Sequence, residues 1–505
     1  MSTNPAGTER GREAPIDLSP EEFRRLGHQL VDDVASLLAG IAARPVTRGE
    51  SPQQVRKLLG ADRMPERGVP ASELLPEATR LLIDHSLYNG HPRFWGYITA
   101  SPAPIGILAD LLAAAINPNV GAAILSPVAS EIEAQSLRWI ADLIGYPRNG
   151  GVLVSGGNVA NFVGFFAARQ AKVGPTLRTD GLYGEGAKLV AYVSTEVHTW
   201  IDKAAELSGL GNKQVRRIAV DAELRMDVAA LETQIRVDLA EGYRPFVVVG
   251  NAGTVGTGAV DPLPAIAEVA KKYDIWFHVD GAYGGPAAIL PDASPELKGL
   301  RLADSIALDP HKWLYAPLEA GCVLVKDPQT LIDTFSHRPA YYRFEGTADD
   351  PPINYHEFGL QNSRGFRALK VWLALRQVGR EGYVKMLGDD IALAEALAER
   401  VKRHEELELA TRELSIATFR YVPRGLAGGV GPNGAYLDKL NEAILGKIQK
   451  GGEAFVSNAL VRGRFMLRAC IVNFRTTIAD VEALTEIVVR LGRELDAGLR
   501  PSEVK

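Results

Sequence analysis

The chain has 505 residues, 46% apolar and 23% charged, which is the composition of an ordinary globular protein and the length of several domains. Its formal charge of −5 argues against nucleic acid or an anionic membrane as the main partner. Two cysteines, Cys322 and Cys470, are too few for a disulfide framework and fit a reducing cytoplasm; both lie in apolar runs and read as buried thiols.

Residues 1–15 are rich in Gly, Pro and Glu and lack the apolar core of a signal peptide, so they read as a disordered tail. No later apolar run reaches the roughly 18 residues that a membrane span needs. Order is expected from Ser19-Pro20-Glu21-Glu22, with serine as N-cap, proline at the first helical position and acids in the first turn. Behind it Phe23, Leu26, Leu30, Val34, Leu37 and Leu38 recur at helical spacing. That stripe has to be buried, either against a second subunit or within the chain.

From 151 to about 327, short β-rich runs alternate with helical segments. The runs 153–154, 189–193, 246–249, 275–279, 305–308 and 322–325 read as strands buried on both faces, and 159–172 and 264–273 as helices between them. This alternation predicts an α/β architecture, a mostly parallel mixed sheet flanked by helices, with ligands bound outside the strand ends. A segment at 338–352 is too polar and too broken by Gly and Pro to be core. Beyond it come the helical run FRALKVWLALRQVG, a charged helix over 381–404, strands over 414–422 and 465–474, and an amphipathic closing helix over 478–495. The expected organisation is an N-terminal tail and helical segment (1–90), a large ligand-binding domain (91–380) and a smaller α+β C-terminal domain (381–505).

Two charged residues stand where such a sheet binds ligands. Asp280 ends the run 275–279, and Lys312 follows the run 305–308 in Asp309-Pro310-His311-Lys312-Trp313. A lysine amine condenses with the aldehyde of pyridoxal 5'-phosphate (PLP), and a carboxylate pairs with the pyridine nitrogen and keeps it protonated. That proton makes the ring an electron sink. A lysine snorkelling from a strand end, or an aspartate capping a turn, would explain one residue and leave the other unexplained.

Ser155-Gly156-Gly157-Asn158 follows a strand and opens a helix, so backbone N–H groups can approach a phosphate there; alone, it would read as a tight turn. Ala282 is small enough to lie flat against a ring. His198, at another strand end, can stack on the ring and help hold the substrate carboxylate, although a lone histidine is more often structural. Thr254 can donate to Asp280 or to the cofactor.

Together, HVDGAYGG and ADSIALDPHKW resemble the signature of the fold-type I, group II PLP-dependent amino acid decarboxylases, which include aromatic L-amino acid, histidine and glutamate decarboxylases. The likeness runs from about residue 18 to the last helix and implies a fold-type I PLP-dependent transferase-like architecture. It implies Lys312 as the PLP-bound lysine, Asp280 as the partner of the pyridine nitrogen, and His198 and Ala282 on opposite ring faces. It further implies phosphate-site positions at Gly157, Asn158, Ser305 and Asp309, with Thr254 near the cofactor and His311 beside the substrate. Two departures stand out. Asn158-Val159-Ala160 replaces the family's frequent Ser-Glu-Ala, and Asp309 stands where animal members have Asn. An anionic Asp309 would repel a phosphate, so it is expected to point away or to act through water.

The resemblance also implies a mobile catalytic loop over about 339–356. Its Tyr355 would protonate Cα after CO2 leaves, in the neighbouring subunit's active site, with Tyr341 and Tyr342 as rivals for that role. Relatives with phenylalanine at the loop position form an aldehyde instead. Tyr97 is implied to line the substrate pocket, and Ala122, in the segment 119–122, to reach in from the other subunit. No arginine stands in an obvious place to clamp a side-chain carboxylate, Arg93 being the one candidate. The expected protein is a cytoplasmic homodimer with active sites at the subunit interface and no metal. It would decarboxylate a small-molecule L-amino acid, most readily an aromatic one. Alternatives are an acidic or small aliphatic substrate, an aldehyde-forming decarboxylase, a carbon–carbon lyase or aminotransferase, and a PLP-binding protein without catalysis.

Overall fold

The computed structural model of the chain describes residues 14–60, 63–183, 188–338, 352–426 and 432–501. Nearly all of the expected N-terminal tail, most of the expected catalytic loop, and both Tyr341 and Tyr342 lie outside the described residues. Residues up to Tyr88 form one compact unit and residues from Asn89 onward another.

In the first unit the helix Pro20–Gly40 starts as expected, with the Ser19 hydroxyl accepting from the Glu22 amide at 3.1 Å. Of the apolar stripe only Leu26 is fully buried, and Phe23 remains 61% exposed. The helix Ala71–His85 packs beside it and carries exposed Leu74 and Leu82.

The second unit is built on two sheets. In chain order its strands are β1 (Phe94–Trp95), β2 (Gly151–Val154), β3 (Lys188–Ser194), β4 (Val215–Ile218), β5 (Tyr243–Asn251), β6 (Trp276–Asp280), β7 (Ser305–Leu308), β8 (Gly321–Val325), β9 (Leu407–Glu413), β10 (Ile416–Tyr421), β11 (Phe455–Val461) and β12 (Arg464–Cys470). Seven form a sheet in the order β2-β8-β7-β6-β5-β3-β4, in which β8 alone runs against its neighbours. Every residue of β2, β6, β7 and β8 is buried, which explains their unbroken apolar runs. Helices Pro127–Ile144, Gly157–Val173 and Leu263–Lys272 cover the sheet with apolar faces. Among the described residues, no helix is long and apolar enough to cross a membrane.

The second sheet runs β1-β11-β12-β10-β9 and is antiparallel except where β1 joins β11. It packs with the helices Pro432–Gly451 and Ile478–Leu499 around a core of its own. Its first strand comes from residues 94–95, far upstream of the rest. The expected boundary at 380 falls inside one long helix, Ala368–Arg403, next to a kink at Gly379 where φ is 64°. Glycine adopts that backbone conformation without the steric penalty other residues bear.

Several strands differ from expectation. β4 was not foreseen because Arg216 and Arg217 interrupt its apolar pattern. It is an edge strand, where charge is tolerated, and its arginines pair with Asp238 and Asp202. β9, another edge strand, and β11 were missed for the same lack of an unbroken apolar run. The strand expected over 465–474 stops at Cys470. Both cysteines are unpaired and buried.

Candidate active site

The chain end of β6, the loops after β3 and β5, and the start of the helix Gly157–Val173 converge on a cavity of about 250 Å³. Parallel pairing produces the convergence: β5 and β6 set Asn251 opposite Asp280, so both chains leave the sheet on the same side. The wall brings together Tyr97, Gly157, Asn158, His198, Thr254, Asp280, Ala282 and Lys312.

Asp280 is 9% exposed and well supplied with donors. Its Oδ2 accepts from Trp200 Nε1 at 2.9 Å and Asn161 Nδ2 at 3.2 Å, and its Oδ1 accepts from the Ala282 amide at 3.2 Å. Burial pushes this carboxyl above the ordinary aspartate range, against the opposing pull of the Lys312 charge. The Lys312 amine lies 2.9 Å from Asp309 Oδ2. Burial disfavours its charge, but Asp309 and then Asp280 outweigh burial and hold the amine above the usual lysine value. Its neighbours are fixed as well: Trp313 donates to Asp390 at 2.8 Å and the Tyr315 hydroxyl donates to the same oxygen.

His198 accepts from the Trp200 amide through Nδ1 at 3.2 Å. Burial, with Lys312 adding to it, depresses its pKa against the pull of Asp280, so the ring is neutral near neutral pH. Gly157 is required sterically, since a Cβ there would lie 2.5 Å from Asp309 Oδ2 and 3.2 Å from Ala282 Cβ. Tyr97 holds a left-handed backbone (φ 51°), and its carbonyl accepts from the buried Arg468 at 2.8 Å. The donor set fits PLP. An amine and a buried carboxylate share one cavity with a flat neutral ring, and a glycine turn at a helix N-terminus opens onto it.

Four expected positions, Ser305, Asp309, His311 and Ala122, lie outside the cavity wall. Ser305 does not line the cavity; its hydroxyl is fully buried between Trp276 and His278 because β7 lies inside the sheet. Asp309 is likewise behind the wall, with one oxygen on Lys312 and the other without a hydrogen-bond partner. His311 backs the glycine turn with Nδ1 2.7 Å from the Ala320 carbonyl. Thr254 lines the cavity, but its hydroxyl pairs with Thr257 at 3.0 Å and makes no bond to Asp280. Ala122 is 2% exposed inside its own chain, and the exposed apolar residues nearby are Ile124 and Leu125 of the turn that follows.

Tyr355 is the largest correction. It was expected on a mobile loop reaching another subunit, yet it is 1% exposed on the short turn Tyr355–Glu357, away from the cavity. The Arg364 guanidinium lies 4.9 Å from its ring centre, and the next residue bonds the Gly121 carbonyl at 2.9 Å. A side chain already enclosed by its own chain cannot present its hydroxyl to a partner. Arg364 itself forms a buried 2.5 Å pair with Glu133 and donates to the carbonyls of Val120 and Leu153. Arg364→Met leaves Glu133 buried and unpaired, and is expected to destabilise the chain by about 3–5 kcal/mol in denaturant unfolding. A loss under about 1 kcal/mol would contradict that assignment.

Sequence reasoning missed Asn161, Trp200, Asn251 and Arg468. Asn161 was detectable, because it sits one helical turn after Gly157 and so faces the same way. Arg93, the one arginine considered for a substrate carboxylate, is tied to Asp480 at 2.9 Å.

Residues 52–422 match the pyridoxal-dependent decarboxylase conserved domain. The chain belongs to the pyridoxal-dependent decarboxylase family. This decarboxylase is 34% identical to the aromatic-L-amino-acid decarboxylase of Bacillus atrophaeus, over 95% of its own length and 97% of the relative's. It superposes on the structure of Oryza sativa TDC with PLP and tryptamine with a TM-score of 0.87 and 26% identity, covering 96% of this chain and 100% of that one. Against Rhodiola rosea 4-hydroxyphenylacetaldehyde synthase the TM-score is 0.83 at 27% identity, covering 97% and 100%. It is a PLP-dependent amino acid decarboxylase of fold type I.

Proposed function

We propose that this decarboxylase converts an aromatic L-amino acid to its amine and CO2, acting as a cytoplasmic homodimer. The observation that carries the reading is the meeting of Lys312, Asp280 and His198 in one cavity beside the glycine turn. Bound there through Lys312, PLP supplies the electron sink that lets Cα part with its carboxylate. Asp280 holds the proton on the pyridine nitrogen. His198 and Ala282 would contact the cofactor ring, and the turn at Gly157 and Asn158 would take the phosphate. Lys312 would hold PLP through its Nζ, and the same amine would move protons to and from the substrate amine.

The proton returned to Cα needs a donor other than Tyr355, and the reading assigns it to Tyr341 or Tyr342. One of Tyr341→Phe and Tyr342→Phe is expected to divert product from amine to aldehyde with peroxide. Tyr355→Phe is expected to leave the product ratio unchanged. Diversion by Tyr355→Phe alone would restore the first reading.

An aromatic substrate is supported by Tyr97, Ile98, Val255 and Tyr283 in the cavity wall and by the engagement of Arg93 with Asp480. One observation favours an acidic substrate as the second reading: Arg468 is buried behind Tyr97 with its Nη2 unpartnered. Comparing kcat/KM for tryptophan, tyrosine, phenylalanine, glutamate and aspartate decides between them. At least tenfold preference for an aromatic substrate is expected, and the reverse order would overturn it.

The homodimer is supported by exposed Leu108, Leu111, Leu112, Ile116, Ile124, Leu125 and Val128, which cluster within a short stretch of chain. Sedimentation equilibrium is expected to give twice the 54.5 kDa chain mass, and a monomer would contradict it. Two unpaired buried cysteines support a reducing compartment.

A further inference from the structure

From Asn161 in the cavity wall back into the sheet behind Asp280, four buried side chains form a hydrogen-bonded line that the proposed chemistry does not use. Trp276 Nε1 lies 2.8 Å from Ser305 Oγ, Ser305 Oγ 2.7 Å from His278 Nδ1, and His278 Nε2 2.8 Å from Asn161 Oδ1. Asn161 Nδ2 then reaches both the Gly157 carbonyl at 2.8 Å and Asp280 Oδ2 at 3.2 Å. Asn161, His278 and Ser305 are at most 2% exposed.

The donor sense of this line is fixed at the Asn161 end and compatible with it at the Trp276 end. An indole N–H can only donate, so Ser305 accepts from Trp276 and its own hydroxyl hydrogen is free for His278 Nδ1. A backbone carbonyl can only accept, so Asn161 must turn its amide nitrogen toward Gly157 and Asp280 and its oxygen toward His278. The Asn161 constraint demands a ring protonated at Nε2, and the Trp276 bond leaves the Ser305 hydrogen available to the bare Nδ1 of a neutral ring. Burial favours that neutral form, pushing the His278 pKa down to about 3. The space was also made for it, since a Cβ at Gly164 would lie 2.5 Å from His278 Cε1 and 3.2 Å from Ser305 Oγ.

We propose that Trp276, Ser305, His278 and Asn161 form a one-way donor relay that positions the Asp280 carboxylate and stabilises its ionised form, so that it can hold a protonated pyridine. This rests on the pairing of Asp280 with PLP. His278 and Asn161 are positioning residues: without the His278 N–H, only the Gly157 carbonyl still orients the Asn161 amide, and its hold on Asp280 loosens. The same Asn161 bond to Gly157 ties the glycine turn to the carboxylate, so one relay sets both ends of the cofactor site.

Two measurements test it. In the cofactor-free protein carrying 15N-histidine, the His278 ring, identified by its loss in His278→Gln, is expected to show a neutral ring protonated at Nε2. A ring protonated at Nδ1, or an imidazolium, would overturn the proposal without reference to PLP. In the loaded protein, 15N-pyridine PLP is expected to be protonated in the wild type. His278→Phe, which keeps volume and removes both ring nitrogens, is expected to move that signal toward the neutral pyridine and to weaken PLP binding about tenfold. His278→Gln, whose side-chain amide can still donate to Asn161, is expected to recover part of both. An unchanged 15N signal and PLP affinity in a folded His278→Phe protein would overturn the relay. An unprotonated pyridine in the wild type would instead overturn the assignment of Asp280. If His278→Phe does not fold, Ser305→Ala carries the test: with the donor to Nδ1 removed, the pyridine 15N signal and PLP affinity are expected to move in the same direction, and no movement in either would count against the relay.

Discussion

Lys312→Ala is expected to abolish the visible absorbance of lysine-bound PLP and to slow amine formation by about 10²–10⁴-fold from lost proton transfer alone. Lys312 is the one amine in the cavity wall among the described residues, and its side chain is 22% exposed, enough for a ligand to reach it. Its removal also strands two carboxylates. Asp309 loses its ion pair, and Asp280 loses the nearby cation that opposes the upward push of burial. Absorbance spectra of the reconstituted variant, with an amine assay, check both effects. Retained absorbance would mean that another amine binds the cofactor.

Asp280→Asn is expected to separate binding from chemistry. The amide keeps the shape of the carboxylate and an oxygen for Trp200, so Lys312 and the glycine turn still capture PLP and the visible absorbance survives. What is lost is the negative charge opposite the pyridine nitrogen. Removing one preorganised electrostatic partner in a buried site typically costs about 10²–10³ in kcat, and a fall of that size is expected here. A variant within threefold of the wild type would show that Asp280 does not hold the pyridine proton.

The strands that carry the site were legible because they are buried on both faces, and such strands are written as continuous apolar runs. β6 and β7 were located nearly to the residue for that reason, and Asp280 and Lys312 stood out as charges at their ends. Edge strands β4 and β9 were not legible, because half-exposed strands carry charges that blur their periodicity. The residues behind the site were equally hidden. Trp200 and Arg468 act through contacts between distant chain segments, which no local pattern records. Tyr355 was misplaced because spacing along the chain gives order but not depth, and only packing against Arg364 shows that it is enclosed.

The most direct measurement is a full product balance for the PLP-loaded protein given an aromatic L-amino acid labelled with 13C at the carboxylate, in deuterated water. The expected result is one labelled CO2 and one amine for each amino acid consumed, with a single deuterium at Cα and no peroxide. Consumption without labelled CO2, or aldehyde and peroxide in place of amine, would contradict it.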